Sequence, residues 1–184
     1  MKYLIASDIH GSAFWCRKLI EKFEKSGADR LILLGDILYH GPRNALPEEY
    51  SPKDVIAMLN PLKDRIHAVR GNCDAEVDQM VLEFPIMADY ALLVLNGHTI
   101  FATHGHLYDE TSLPPMMSGD CLLHGHTHLV NAERISADGK EIYHLNPGSV
   151  SLPKGGFPNS YAVFEGDRFA VYDFDDQLIR EVTL

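Results

Sequence analysis

The chain has 184 residues, 46% of them apolar, and a formal net charge of −10. That is about one domain's length, and a domain of this size buries roughly 70% of its unfolded surface. With 16 basic against 26 acidic residues there is no cationic stripe, which excludes the footprint of a long nucleic-acid binder. No apolar run approaches the roughly 20 residues of a bilayer span, and MKYLIASDIHG has no small-residue cleavage site of the secretory kind. A soluble cytoplasmic protein without a membrane partner is therefore expected.

In chain order, residues 2–6 are short, apolar and stopped by SDIHG, which predicts a buried strand. Phe14, Leu19, Ile20 and Phe23 recur at helical spacing over 13–25, and Gly27 is placed to cap that helix. Residues 31–34 predict a second strand ended by Gly35-Asp36, so the βαβ unit should carry parallel strands joined by a right-handed crossover. Ser51-Pro52 reads as an N-cap with Pro at the first helical position, opening a helix to residue 59. Residues 66–69 make a third strand, ended by RGNCD.

Beyond residue 84 the pattern turns mostly antiparallel. Strands at 91–95 and 99–103 flank Asn96-Gly97, a strong hairpin signal. Further strands are expected at 121–123, 130–135, 142–145, 161–165, 169–174 and 178–182, several divided by turn pairs such as Asp138-Gly139 and Gly166-Asp167. Neither repeats nor linkers divide the chain. One domain over 1–184 is expected, an α/β fold of two sheets packed face to face with helices outside.

Cys16, Cys73 and Cys121 are odd in number and far apart, which suits a reduced compartment better than a disulfide frame. Cys16 and Cys121 sit among apolar neighbours and are expected in the core. The ten histidines are more informative for where they fall. Five polar segments each follow a predicted strand: Asp8-Ile9-His10, Gly35-Asp36, Gly71-Asn72-Cys73-Asp74, His104-Gly105-His106 and Gly125-His126-Thr127-His128. Ligands of open α/β sheets gather outside the carboxyl ends of the strands, so these segments should converge on one rim. In extended backbone residues i and i+2 point the same way, which would let Asp8 and His10 grip one ion. His126 and His128 either share that ion or diverge to two. Carboxylate, imidazole and amide oxygen together favour manganese, iron, zinc, cobalt or nickel over calcium or magnesium.

The ordered set D-x-H, G-D, G-N-x-D, H and G-H-x-H, running from Ser7 to Ser149, resembles the calcineurin-like metallophosphoesterase family. GDILYHGPR, GNCD, THGH, GHTH and NPGS resemble its small bacterial YfcE-type phosphodiesterase branch more closely. The resemblance implies a four-layer α/β/β/α sandwich of two mixed sheets with a dimetal centre on its rim. It further implies two divalent ions, manganese first. One ion would be held by Asp8, His10 and His128, the other by Asn72, His104 and His126, with Asp36 bridging. An in-line attack by a metal-bridging hydroxide on a small phosphate diester would follow.

The family usually has histidine where this chain has Cys73. A thiol is a weak hydrogen-bond donor, so Cys73 either aids the leaving oxygen poorly, with Asp74 ordering the motif, or only packs there. Arg43 is expected to meet a phosphate oxygen. His40, His106 and His124 flank the ligand motifs as hydrogen-bond donors or relays, whereas His67, His98 and His144 read as ordinary. Asn146-Pro147-Gly148-Ser149 shapes a rim loop, and Trp15 is open between core and pocket wall. Specificity is assigned to the loops at 39–50 and 109–117. The family also contains non-catalytic scaffolds of the retromer-subunit kind, which tend to lack the full ligand set; here all seven positions carry competent residues. A nuclease is disfavoured by Cys73, the short chain and the acidic balance.

Overall fold

The computed structural model describes residues 1–184. Eleven strands form two mixed sheets. The first contains β1 (Lys2–Ala6), β2 (Arg30–Leu33), β3 (Ile66–Ala68), β9 (Ser160–Glu165), β10 (Arg168–Asp173) and β11 (Leu178–Thr183), in the order β11-β10-β9-β1-β2-β3. The second contains β4 (Tyr90–Leu95), β5 (His98–Thr103), β6 (Cys121–Leu123), β7 (Val130–Ala137) and β8 (Lys140–Pro147), in the order β4-β5-β6-β8-β7. Strands β1, β2 and β3 run parallel, as do β5, β6 and β8, so each sheet sends three strand ends to one rim.

Side-chain alternation sets the layers. Tyr3 and Ile5 of β1 face the second sheet, where they meet Ile100, Leu123 and Leu145 in a core of 17 buried residues. Leu4 and Ala6 face the other way, into a core of 20 buried residues shared with helices α1 (Ala13–Ser26) and α2 (Pro52–Leu59). The outer face of the second sheet carries Phe101, Leu122 and Ile142, and its cover is the segment bearing Tyr108, Leu113 and Met116, not a helix.

The expected elements are present with ends shifted by a residue or two. Gly27 caps α1 at φ 66°, and Asn96-Gly97 turns the β4–β5 hairpin at φ 53° and 95°, the positive pair that a type I′ turn needs. Ser51 makes no side-chain cap bond; its carbonyl instead accepts the amides of Asp54 and Val55. A 3-10 turn at Asn60–Arg65 and a one-turn helix α3 (Glu76–Gln79) carry no periodic signal in the sequence. All three cysteines are free, Cys16 and Cys121 buried as expected. Trp15 packs on Phe14 and Phe174 beside the helical core, which settles it as packing. No helix is long and apolar enough to cross a membrane.

Candidate metal centre

The five polar segments do meet on one rim, by a different backbone route from the one expected. Asp8 and His10 are not extended: their φ angles are 59° and 50°. Five of the nine non-glycine residues with positive φ are Asp8, His10, Asp36, His126 and His128. Left-handed backbone of this kind costs on the order of 1–3 kcal/mol per residue and persists where the surroundings over-determine it. Here they do. The Asp8 carbonyl accepts the hydroxyls of Ser149 and Ser151, both at 3.0 Å, and the His10 amide donates to the Asp36 carbonyl at 2.9 Å. Asn146 donates its side-chain amide to the Gly125 carbonyl at 3.0 Å and to Thr127 Oγ1 at 3.1 Å, which holds the loop carrying His126 and His128.

Two glycines permit the close approach. A Cβ at Gly71 would collide with Asp36 Oδ1, and one at Gly125 with Ser7 Oγ. Asp74 lies behind the loops, buried, and its carboxylate accepts the amides of Asp36 (2.9 Å), Ile37 (2.9 Å) and Gly71 (2.7 Å).

The side chains fall into two groups. In the first, Asp8 Oδ1 stands 3.5 Å from His10 Nε2 and 3.2 Å from His128 Nε2, and the two imidazole nitrogens are 3.4 Å apart. In the second, His104 Nε2 stands 3.4 Å from Asp36 Oδ2, 3.2 Å from Asn72 Oδ1 and 3.2 Å from His126 Nδ1. Asp36 Oδ2 is also 3.7 Å from His10 Nε2, so it lies between the groups. His126 and His128 thus diverge, one to each group.

Tautomers decide what these clusters accept. His10 Nδ1 faces the Tyr39 carbonyl at 2.8 Å, His104 Nδ1 the Leu34 carbonyl at 2.6 Å, and His128 Nδ1 the Leu152 carbonyl. Each carbonyl accepts a ring N–H, which leaves the Nε2 lone pairs of the neutral rings pointing inward. Asp8 Oδ1 is buried with no hydrogen-bond partner. In metal-free protein the charged His104 ring carries a proton on Nε2 as well, and that proton can serve only one of its three acceptors at a time, whereas a cation that displaces it satisfies them together. The donor set therefore fits divalent cations, with Asp8, His10, Asp36, His104 and His128 as candidate ligands.

Charge follows the same logic. Burial works to raise the Asp8 carboxyl, but His10 and His128 hold it well below the usual carboxylate range. Burial opposes a charge on His104, yet Asp36 and Asp8 raise it to about 9. Burial, then the His104 charge, press His126 down to about 4. Because His104 titrates higher folded than unfolded (near 6.5), its pairing stabilises metal-free protein fully below pH ~6.5 and that stability is lost as pH rises through about 9. Chelated protein should lose up to about 3 kcal/mol of unfolding free energy across that window by urea titration. His104→Gln should flatten the profile.

The groups open on a cleft of about 410 Å³, walled by Gly41, Pro42, Arg43, Asn44, Cys73 and Lys154. Arg43, expected to meet a phosphate oxygen, lies on this wall. Lys154 was not anticipated; its only mark in the sequence is a lone cation in the Pro/Gly-rich LPKGG. Burial first, then the Asp36 carboxylate, push the Cys73 thiol up, so it stands protonated. His106 packs beside His104 and His126, and His40 between Tyr39 and Tyr50. His98 pairs with Asp167 at 3.0 Å on the surface, an ordinary position as expected.

Paired sheets with this rim define a class of hydrolase: the chain belongs to the calcineurin-like phosphoesterase superfamily, whose domain model matches residues 1–168. Phosphodiesterase YfcE of Escherichia coli strain K12 is 50% identical over 179 residues, 97% of this chain and 95% of that protein. A solved structure of Yfce, a phosphoesterase from E. coli, superposes with a TM-score of 0.95 at 48% identity, covering 100% of this chain and 99% of that one. The probable metallophosphoesterase YsnB of Bacillus subtilis strain 168 is 27% identical over 184 residues, 95% of this chain and 91% of that protein. These findings bear out the resemblance read from the motifs, its YfcE-type branch included.

Proposed function

We propose that this protein hydrolyses a small phosphate diester with the help of two divalent cations, manganese first among them. Asp8, His10 and His128 would hold one ion and Asn72, His104 and His126 the other, with Asp36 between. When bound, such a pair acidifies a water for in-line attack and screens the phosphoryl charge. The observation that carries the reading is the convergence of Asp8 Oδ1 and Asp36 Oδ2 with four imidazole nitrogens and an amide oxygen, at separations of 3.2–3.7 Å.

The chain's own residues have separable tasks. The carbonyls of Tyr39, Leu34 and Leu152 aim the imidazoles. Arg43 and Lys154 bind phosphoryl oxygens from the cleft walls, Arg43 in a bidentate mode. The protonated Cys73 offers a weak S–H to the leaving oxygen, and Asp74 keeps the Asp36 and Gly71 loops together. A thiol helps a poor leaving group little, so the substrate is a diester whose alcohol leaves easily. The 50% identity to a phosphodiesterase over nearly the whole chain supports the same substrate class.

The reading is tested on chelated and metal-reloaded protein with bis-p-nitrophenyl phosphate and p-nitrophenyl phosphate. Turnover should require added metal and favour the diester by tenfold or more, and Cys73→His should narrow that preference by speeding the monoester. Equal rates on both substrates, or full activity in chelator, would contradict it. Arg43→Ala and Lys154→Ala should each raise KM about tenfold with kcat little changed, as expected for loss of uniform binding.

A further inference from the structure

His124 and His144 are turned away from the cleft. In the β6–β8 ladder Leu122 pairs with His144, and His124 follows Leu122 by two residues, so both imidazoles stand on the outer face of the second sheet. Their rings stack, centroids 4.9 Å apart at 16°, and the two Nε2 atoms are 2.8 Å apart. Glu110, from the segment after β5, brings Oε2 to 3.5 Å from His124 Nε2 and 3.7 Å from His144 Nε2. Both histidines are buried, while the Glu110 side chain is 39% exposed.

We propose that Glu110, His124 and His144 form a separate mononuclear site for a divalent cation of the zinc type, which fastens the segment covering the outer face to the sheet. Ligand atoms around tetrahedral zinc, at roughly 2.0–2.1 Å from the ion, stand about 3.3–3.4 Å from one another. The three separations here, 2.8, 3.5 and 3.7 Å, bracket that value. Two imidazoles and a carboxylate are a donor set that zinc accepts, with the exposed side left for water.

His124 is already oriented for the task. Its Nδ1 donates to the Gly125 carbonyl at 3.0 Å, which turns the Nε2 lone pair toward the other two ligands. A Cβ on Gly105 would come within 2.7 Å of that ring, so the imidazole is wedged against backbone. In metal-free protein His144 Nε2–H is the donor of the 2.8 Å bond to His124. On binding, His144 passes to its other neutral tautomer, the Nε2 proton being exchanged through solvent for one on Nδ1, so that both Nε2 lone pairs face the cation and no net proton is released. None of the three ligand atoms belongs to the Asp8 or Asp36 groups.

The test is metal content per chain after chelation, reloading with zinc and removal of excess, in wild type, Glu110→Gln and the double variant Glu110→Gln/His144→Gln. Wild type should retain about one equivalent more than either variant, and zinc should raise its melting temperature further than theirs. An Asp8→Asn chain should keep the Glu110-dependent equivalent. Equal metal content in wild type and Glu110→Gln, leaving His124 and His144 as a hydrogen-bonded pair only, would overturn the site. So would loss of that equivalent in Asp8→Asn, which would place the ion in the cleft. Glu110 is exposed, so its single variant reports even if the double variant fails to fold.

Discussion

Replacing Asp36 by asparagine is expected to lower diester turnover by at least about a thousandfold, or roughly 4 kcal/mol of transition-state stabilisation. The substitution keeps the shape of the side chain, and its retained oxygen can still accept the Cys73 amide, a bond of 2.8 Å. The loss falls on Oδ2, the atom that stands 3.4 Å from His104 Nε2 and 3.7 Å from His10 Nε2. With a neutral amide there, one negative charge disappears from between the two ligand groups, and the proposed pair of cations would lose the carboxylate between them. Metal content should therefore fall with activity, while chelated protein loses at most the His104 pairing, a fall in melting temperature of up to roughly 6–12 °C. Retained metal with lost turnover would mean that Asp36 acts on the substrate and not as a ligand.

Asp74→Ala should be the most destabilising single change at the rim. The carboxylate accepts three backbone amides, from Asp36, Ile37 and Gly71, at 2.7–2.9 Å. Hydrogen bonds to a charged group contribute about 1.5–3 kcal/mol each, and buried amides left unpaired add their desolvation cost. A loss of about 4 kcal/mol is expected, which for a chain of this length lowers Tm by roughly 8–16 °C. Asp74→Asn, with one acceptor oxygen in place of two, should lie between. A thermal melt of the two variants decides it. If both match the parent while activity collapses, Asp74 takes part in the chemistry and is not a brace.

Much of this was legible from residue types. Apolar runs stopped by Gly, Asp and His located the strand ends, and Asn96-Gly97 located a hairpin, because those residues bear local conformational preferences. The divergence of His126 and His128 was open between two outcomes until the fold placed them. Less local features left no mark. The left-handed backbone at Asp8 and His10 is imposed from outside, by Ser149 and Ser151, 141 and 143 residues further along. An Asp-x-His segment looks the same extended or kinked. The loop cover over Phe101 and Leu122 has too little periodicity to signal anything. His144 read as ordinary since its meaning depends on Glu110 and His124, which only the β6–β8 pairing and the loop bring near it.

The proposed chemistry requires the rim to hold two cations with Asp36 between them. Anomalous diffraction from crystals of manganese-loaded protein, measured at the manganese edge, tests that directly. Two peaks about 3.5–4 Å apart are predicted, one beside Asp8, His10 and His128, the other beside Asn72, His104 and His126, with Asp36 Oδ2 touching both. A single peak, or manganese bound elsewhere with these side chains left in hydrogen bonds to one another, would contradict it.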